Sequence, residues 1–387
     1  MDVLFNEFEE MLKQGARATL AVESPPALVR DAEIDPLRYA PGLWKKVADL
    51  GWLGLALPEA YGGQGLGLSS LGILAAELGR TVAPVPFHCT MTAALTIAEA
   101  GTEAQRAAIL PRVVQGDAIL TWALTEADPR FLTPDAVQMQ ATVDGDSLVL
   151  NGTKLFVEHF ESAAQCLVVC RTTPGKTGAA GISLVLVDPK GAGLRVSPLT
   201  NFAKENLSRV EFTNVRVPRT NVIGEEGKGW PVVEAMVNRS AALLSIQMSG
   251  AARRALEYAV DYAKEREAFG RPIGAFQSIA HTLADTLIWI DGCDLIAYQA
   301  LWRLEKGLPA AVQVSEAKAF CSEKVIAAVR NANVVHGGVA ATAELDLQLW
   351  FRRASAWAMC LGTPSEHRAR VAHAVLESAL TFSGAPA

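Results

Sequence analysis

The hydrophobic residues of this 387-residue chain change period twice, and that double change is the tightest constraint on its fold. Up to about residue 118, apolar positions recur three and four apart. Leu43-Trp44-Lys45-Lys46-Val47-Ala48-Asp49-Leu50 is one such run, and Ser69 to Leu78 is another. This is the spacing of a helix with one buried face. Between them, Leu57 to Gly65 is too rich in Gly and Pro to continue a helix. Thr102 is placed to cap a further helix running to Gln115. Beyond Ala118 the period drops to two. Val137 to Val143, the turn Asp144-Gly145-Asp146 and Ser147 to Leu150 read as a hairpin. Short strands follow at Cys166–Cys170, Ile182–Val187, Leu194–Val196 and Arg209–Val217, separated by turns such as Pro174-Gly175 and Asp188-Pro189. Strands this short and this closely spaced predict a small barrel or sandwich. From Lys228 the helical period returns and runs to about Ala379, broken at Gly307-Leu308-Pro309. The stripe Ile279, Leu283, Leu287 and Ile290 predicts a seam that neighbouring helices bury as a bundle.

Composition narrows the function. Half the residues are hydrophobic, enough for a substantial core and too many for a disordered chain. With 35 Lys and Arg against 41 Asp and Glu, the net charge is −6. A mildly acidic chain without a basic block argues against nucleic-acid or membrane-surface binding. No uncharged apolar run reaches the roughly 18 residues of a membrane span. Acids in the first twelve residues are unlike a secretory signal, so a cytoplasmic location is expected. The six cysteines are scattered, so buried reduced thiols are expected in place of a metal site. His88, His159, His281 and His373 have no acid or metal-ligand company at useful sequence spacing and read as core or surface residues. Trp289, Trp302, Trp350 and Trp357 read as bundle core, and Glu225-Glu226 as a solvated turn.

Two motifs in the last segment gain meaning together. Arg266-Glu267-Ala268-Phe269-Gly270-Arg271-Pro272-Ile273-Gly274-Ala275-Phe276-Gln277 follows one long helix, and His336-Gly337-Gly338 interrupts another. Alone, the arginine serves a helix C-terminus as readily as a phosphate, and a Gly pair simply ends a helix. Further matching text is spread along the chain. It includes Gly51-Trp52-Leu53-Gly54-Leu55 with Pro58-Glu59-Ala60-Tyr61-Gly62-Gly63, then Leu124-Thr125-Glu126, then Leu150-Asn151-Gly152-Thr153-Lys154. Phe212-Thr213-Asn214-Val215-Arg216-Val217-Pro218 completes the series. Over essentially its whole length the chain resembles the acyl-CoA dehydrogenase family.

The resemblance implies an α+β fold with a helical N-terminal domain (1–118), a central β-barrel (119–225) and a C-terminal four-helix bundle (226–387), usually as a tetramer. It implies FAD, an acyl-CoA substrate and an electron-transferring flavoprotein as acceptor. It also implies a reaction in which a carboxylate removes the α-proton of the thioester while a hydride leaves the β-carbon. Such a base must reach the carbon, and the enolate oxygen needs placed donors. By the same resemblance, Arg266, Gln277 and Phe269 face the FAD of an adjacent subunit. Gly337 and Gly338 lie near its adenosine end. Thr125 touches the flavin ring, and Arg239 stands beside the substrate channel.

The chain departs from the family where the chemistry is done. The usual base position, just before Gly362-Thr363 and nine residues after Arg352, holds Leu361. The alternative position, just before Arg239, holds Asn238, an amide that cannot act as a carboxylate base. The small-residue loop that wraps the pyrophosphate is replaced by Thr125-Glu126-Ala127-Asp128-Pro129-Arg130-Phe131. The family's Trp-x-Thr against the flavin ring is Phe156-Val157-Glu158, and the Gln three positions before the Gly pair is Val334. Residues offered to a neighbour's cofactor are kept, and those for the chain's own are eroded. This pattern, and the tail Cys360 to Arg370, resembles the smaller partner of hetero-oligomeric bacterial dehydrogenases for steroid side chains and dicarboxylic acyl-CoAs. Three readings stand: a subunit that needs a homologous catalytic partner, a self-sufficient flavoenzyme with a relocated base (Glu234 or Glu158), or a non-redox acyl-CoA-binding scaffold.

Overall fold

The computed structural model describes residues 5–382 apart from Pro129, Phe131 and Pro174. Two residues of the altered loop and the proline of the predicted 174–175 turn therefore lie outside the described residues. Helices come first: α1 (Glu7–Glu23), α2 (Pro26–Ile34), α3 (Pro41–Asp49), α4 (Leu68–Arg80), α5 (Phe87–Ala100) and α6 (Glu103–Val114). Strands follow: β1 (Leu120–Ala123), β2 (Gln140–Asp144), β3 (Ser147–Glu158), β4 (Gln165–Arg171), β5 (Ile182–Val187), β6 (Leu194–Pro198), β7 (Leu207–Pro218) and β8 (Val222–Ile223). The chain closes with α7 (Trp230–Glu265), the small hairpin β9 (Glu267–Ala268) and β10 (Arg271–Pro272), α8 (Gln277–Glu305), α9 (Ala311–His336), α10 (Leu347–Met359) and α11 (Pro364–Phe382). The helix–strand–helix order expected from the periods is the order observed. Among the described residues no helix is long and apolar enough to cross a membrane.

The chain folds into two compact units built from non-contiguous pieces. One comprises Arg30–Gly67 and Pro84–Ser240, the other Met1–Val29, Leu68–Ala83 and Ala241–Ala387.

The first unit holds the sheet, whose strands run in the order β6-β7-β3-β2-β4-β5-β8, with β1 parallel beside β4. Its core includes Leu148, Leu150, Cys166, Val168, Cys170, Val185, Val210 and Phe212. β4 and β5 are buried along almost their whole length, which is why both read as unbroken apolar runs without alternation. Burial pushes the Cys170 thiol up to about 12 and raises Cys166 further, so neither ionises at neutral pH. The pairing of β3 with β7 slips between Lys154 and Val157. Such a bulge re-aims side chains, and here Phe156 takes a left-handed backbone (φ +57°) with its ring exposed. The predicted strand from Val137 begins only at Gln140: Pro134–Ala136 is a short 3-10 turn, the Arg171 guanidinium binds the carbonyls of Pro134 and Val137, and the amides of Gln138 and Met139 go to Glu126 in place of a strand partner. Thr102 caps α6 in a reciprocal box with Gln105, and Gln105 also reaches the carbonyls of Thr220 and Val222.

In the second unit α9 packs against α8, α10 and α11, and α1 against α4. Helices α4 and α7 approach very closely. A Cβ on Gly79 would lie 1.9 Å from the Gln247 carbonyl oxygen, and one on Gly250 would lie 1.9 Å from that of Ala76. Arg80 bridges to Glu257 at 2.5 Å, and Arg17 of α1 to Glu77 at 2.7 Å. The tryptophans split. Trp350 and Trp357 are buried, and the Trp350 indole donates to the Arg80 carbonyl. Trp289 and Trp302 are only half-buried, and Lys324 lies over the Trp289 ring. The expected stripe is also incomplete: Ile290 is fully buried, but Leu287 is 43% exposed.

Candidate functional site

The candidate residues fall into two groups, one in each unit. The first begins at the end of β1. Thr125 is exposed, and its carbonyl accepts from the Leu155 amide, which sets it beside the exposed Phe156 on β3. Its flanking residues are pinned by Lys154. This ammonium is fully buried, 2.6 Å from the Glu126 carboxylate and 3.0 Å from the Leu124 carbonyl. Glu126 also accepts from the amides of Gln138 and Met139. Burial lowers the Lys154 pKa, and the Glu126 charge opposes that loss. Nothing in sequence spacing joins positions 126 and 154; the β1–β3 packing does. Two residues on, Asp128 and Arg130 form a surface ion pair at 2.6 Å.

The same unit holds a polar seam between α5, the end of β3 and the start of α7. His88 Nε2 lies 3.1 Å from the Ser240 carbonyl and hydroxyl oxygens, and its Nδ1 is 3.9 Å from a Glu158 carboxylate oxygen. Thr92 donates to the Ser240 hydroxyl, and Thr121 to the Glu158 carbonyl. The sequence expectation that His88 has no acid company is therefore corrected: its acid is 70 residues away and arrives with β3. Burial alone would lower the His88 pKa, but the Glu158 carboxylate and Ser240 carbonyl outweigh it and raise it. Burial would raise Glu158, but His88 outweighs that and lowers it. Both shifts favour an imidazolium–carboxylate pair. His373, also read as lacking an acid, sits 3.3 Å from Glu377 on an exposed face. Of the presumed solvated pair, Glu225 bridges to Lys228, while Glu226 is drawn to Arg219 at 3.0 Å.

Arg239 also lies in this unit. It pairs with Glu99 and approaches the Thr96 hydroxyl, and burial drops its pKa to about 10. Asn238 and Glu234 are half-buried on the same helix.

The second group is in the other unit. Arg266 follows the last residue of α7, and its amide donates to the Tyr262 carbonyl. Tyr262 stacks on His336 at 4.4 Å, so the α7–α8 turn and the end of α9 share one end of the helices. Arg266, Phe269, Gln277, Gly337 and Gly338 are all exposed there, with Phe269 95% exposed. Phe269 has φ +53°, and a Cβ at Gly337 or Gly338 would meet nothing. Leu361 lies in this unit also, in a left-handed turn (φ +57°) between α10 and α11. Its carbonyl accepts from His367 Nε2 at 2.7 Å, which burial holds neutral by lowering its pKa to about 4. The buried Lys318 ammonium donates to Ser322 Oγ and faces the carbonyls of Trp357, Ala358 and Gly362, bracing the same turn. Glu366, the acid nearest to Leu361 in sequence, is held by the Thr363 amide and hydroxyl as the cap of α11.

Three family profiles match the chain in order: the N-terminal domain of acyl-CoA dehydrogenase at residues 6–117, the middle domain at 121–215 and the C-terminal domain at 227–376. The chain belongs to the acyl-CoA dehydrogenase family. An acyl-CoA dehydrogenase of Bacillus subtilis (strain 168) is 31% identical over 306 residues, covering 76% of this chain and 79% of that one. Among solved structures, the Tcur3481-Tcur3483 steroid ACAD aligns with a TM-score of 0.87 at 32% identity, covering 96% of this chain and 99% of that one. The ChsE4-ChsE5 complex of Mycobacterium tuberculosis aligns with a TM-score of 0.88 at 26% identity, over the full length of both chains. The fold is that of acyl-CoA dehydrogenases.

FAD is the cofactor this family implies, and the two groups suit it differently. The exposed cationic and aromatic end formed by Arg266, Phe269 and Gln277 fits a cofactor approaching from outside the chain. The Phe156–Glu158 stretch does not fit a flavin ring, because it brings a carboxylate, 3.9 Å from His88, that can only accept hydrogen bonds.

Proposed function

We propose that this chain is a subunit of an FAD-dependent acyl-CoA dehydrogenase that desaturates an acyl-CoA thioester and needs a homologous partner subunit for turnover. The observation that carries the reading is the division of labour between its residues. Both base positions, Leu361 and Asn238, lack a carboxylate, and Glu366 is spent on a helix cap. Meanwhile Arg266, Phe269, Gln277, Gly337 and Gly338 stand exposed at one end of the helices, as residues offered to a neighbouring subunit would. In this reading Thr125 and Arg239 are remnants of the chain's own cofactor and substrate positions, in the 119–225 and 226–387 segments. The likeness to the Tcur3481-Tcur3483 and ChsE4-ChsE5 structures supports a heteromeric, steroid-related setting. An electron-transferring flavoprotein is the proposed acceptor.

The test is to purify the chain alone and co-expressed with a homologous dehydrogenase, then assay both with acyl-CoA and an artificial electron acceptor. Turnover only in the pair is expected; turnover by the single chain refutes the reading. A second reading, a self-sufficient enzyme, draws on the ionised state of Glu158, with Glu234 as the other candidate base. It requires E158Q or E234Q to abolish turnover while leaving bound flavin in place.

A further inference from the structure

We propose that the Glu158 carboxylate, held beside His88, is what excludes flavin from this subunit's own ring seat; the inference rests on the partner-dependent reading above. Glu158 ends the bulged strand β3, two residues after the exposed Phe156. In the family resemblance this stretch is the one that faces the isoalloxazine ring. An ionised carboxylate can only accept hydrogen bonds. The ring edge carries N1, N5, O2 and O4 as acceptors, with N3–H as its one donor, so most approaches oppose acceptor to acceptor. A threonine hydroxyl, by contrast, can donate.

Desolvation acts in the same direction. The Glu158 side chain is 36% exposed, and His88 is 3.9 Å away, too far for a direct hydrogen bond. The carboxylate is thus partly open to solvent, and a ring laid over it would close that access without supplying a donor. Burying a charge that lacks a hydrogen-bonded partner is strongly unfavourable. His88 cannot turn to serve the ring without giving up the Ser240 carbonyl. The other ionisable groups acting on the pair are Glu205, His159 and Cys89. Buried Cys89 has its pKa pushed well up and stays a neutral thiol.

The experiment measures FAD per chain from the visible spectrum, and FAD affinity by fluorescence titration, on the purified full-length chain and on E158T, E158Q and H88A. Circular dichroism and thermal melting confirm that each variant is folded. The expected result is a flavin-poor wild type and H88A, with E158T and E158Q binding FAD at least about tenfold more tightly, equivalent to about 1.4 kcal/mol. E158Q removes the charge at constant shape and decides the matter if E158T does not fold. Near one flavin per wild-type chain overturns the partner-dependent reading itself. A flavin-poor wild type with equally flavin-poor, folded E158T and E158Q overturns only the present inference. Flavin uptake by H88A, which keeps the carboxylate, overturns the charge argument.

Discussion

Replacing Lys154 by methionine isolates the buried pair that anchors the Thr125 loop. The substitution keeps most of the side-chain volume and deletes two interactions, one to the Glu126 carboxylate at 2.6 Å and one to the Leu124 carbonyl at 3.0 Å. Lys154 is fully buried and the Glu126 side chain is 9% exposed, so water cannot replace the lost ammonium. Glu126 keeps its amide donors from Gln138 and Met139 but loses its countercharge. Removing one member of a buried ion pair typically costs about 3–5 kcal/mol. Two surviving amide bonds place K154M near the lower end, about 3 kcal/mol. The double variant K154M/E126Q removes both charges and should regain about half of that loss. The assay is urea unfolding of wild type, both single variants and the double variant, combined as a double-mutant cycle. Tryptophan fluorescence reports on the sheet unit through Trp122 on β1. A loss below about 1 kcal/mol for K154M, or strict additivity in the cycle, would refute the claim that this pair is dry and coupled.

Other outcomes follow from the same kind of accounting. The Lys318 ammonium is buried and its pKa is lowered to about 8, against 10.5 when exposed. Between those values the unfolded chain holds the proton and the folded chain does not, so stability should rise with pH across that window, by up to about 3 kcal/mol. Melting curves of wild type against K318M from pH 7.5 to 10.5 check this; a pH-independent difference contradicts it. G250A should destabilise the helical unit by about 1–3 kcal/mol, since its Cβ would meet the Ala76 carbonyl oxygen at 1.9 Å, whereas G338A, where a Cβ meets nothing, should be close to neutral. Thermal unfolding compares the two. R266Q should lower the flavin content of the co-expressed pair while leaving the melting temperature of the single chain unchanged, because Arg266 is exposed.

The order and type of elements were readable from short stretches of sequence. Residue periods of 3.6 and 2 reflect which face of a local element is buried, so α3, α4, α6 and β3 to β7 appear near their predicted places. The Thr102 cap is a four-residue interaction and was equally legible. The identity of Leu361, at the position the family resemblance assigns to the base, needs no geometry to read. Boundaries were less legible: the strand expected from Val137 starts at Gln140, because Arg171, more than 30 residues away, binds the carbonyls of that stretch.

What only the tertiary structure decided is which distant side chains meet. His88 finds Glu158 across 70 residues, and Lys154 finds Glu126 across 28. Gly79 and Gly250 turn out to mark one close helix crossing. A hydrophobic period says that a face is buried but not what covers it, and the pKa of a buried group depends on that cover. The sequence alone could therefore point to the family and show that Leu361 and Asn238 are not carboxylates. The charge state of the pair at the end of β3 depends on where β3 and α5 are brought together, which is a property of packing.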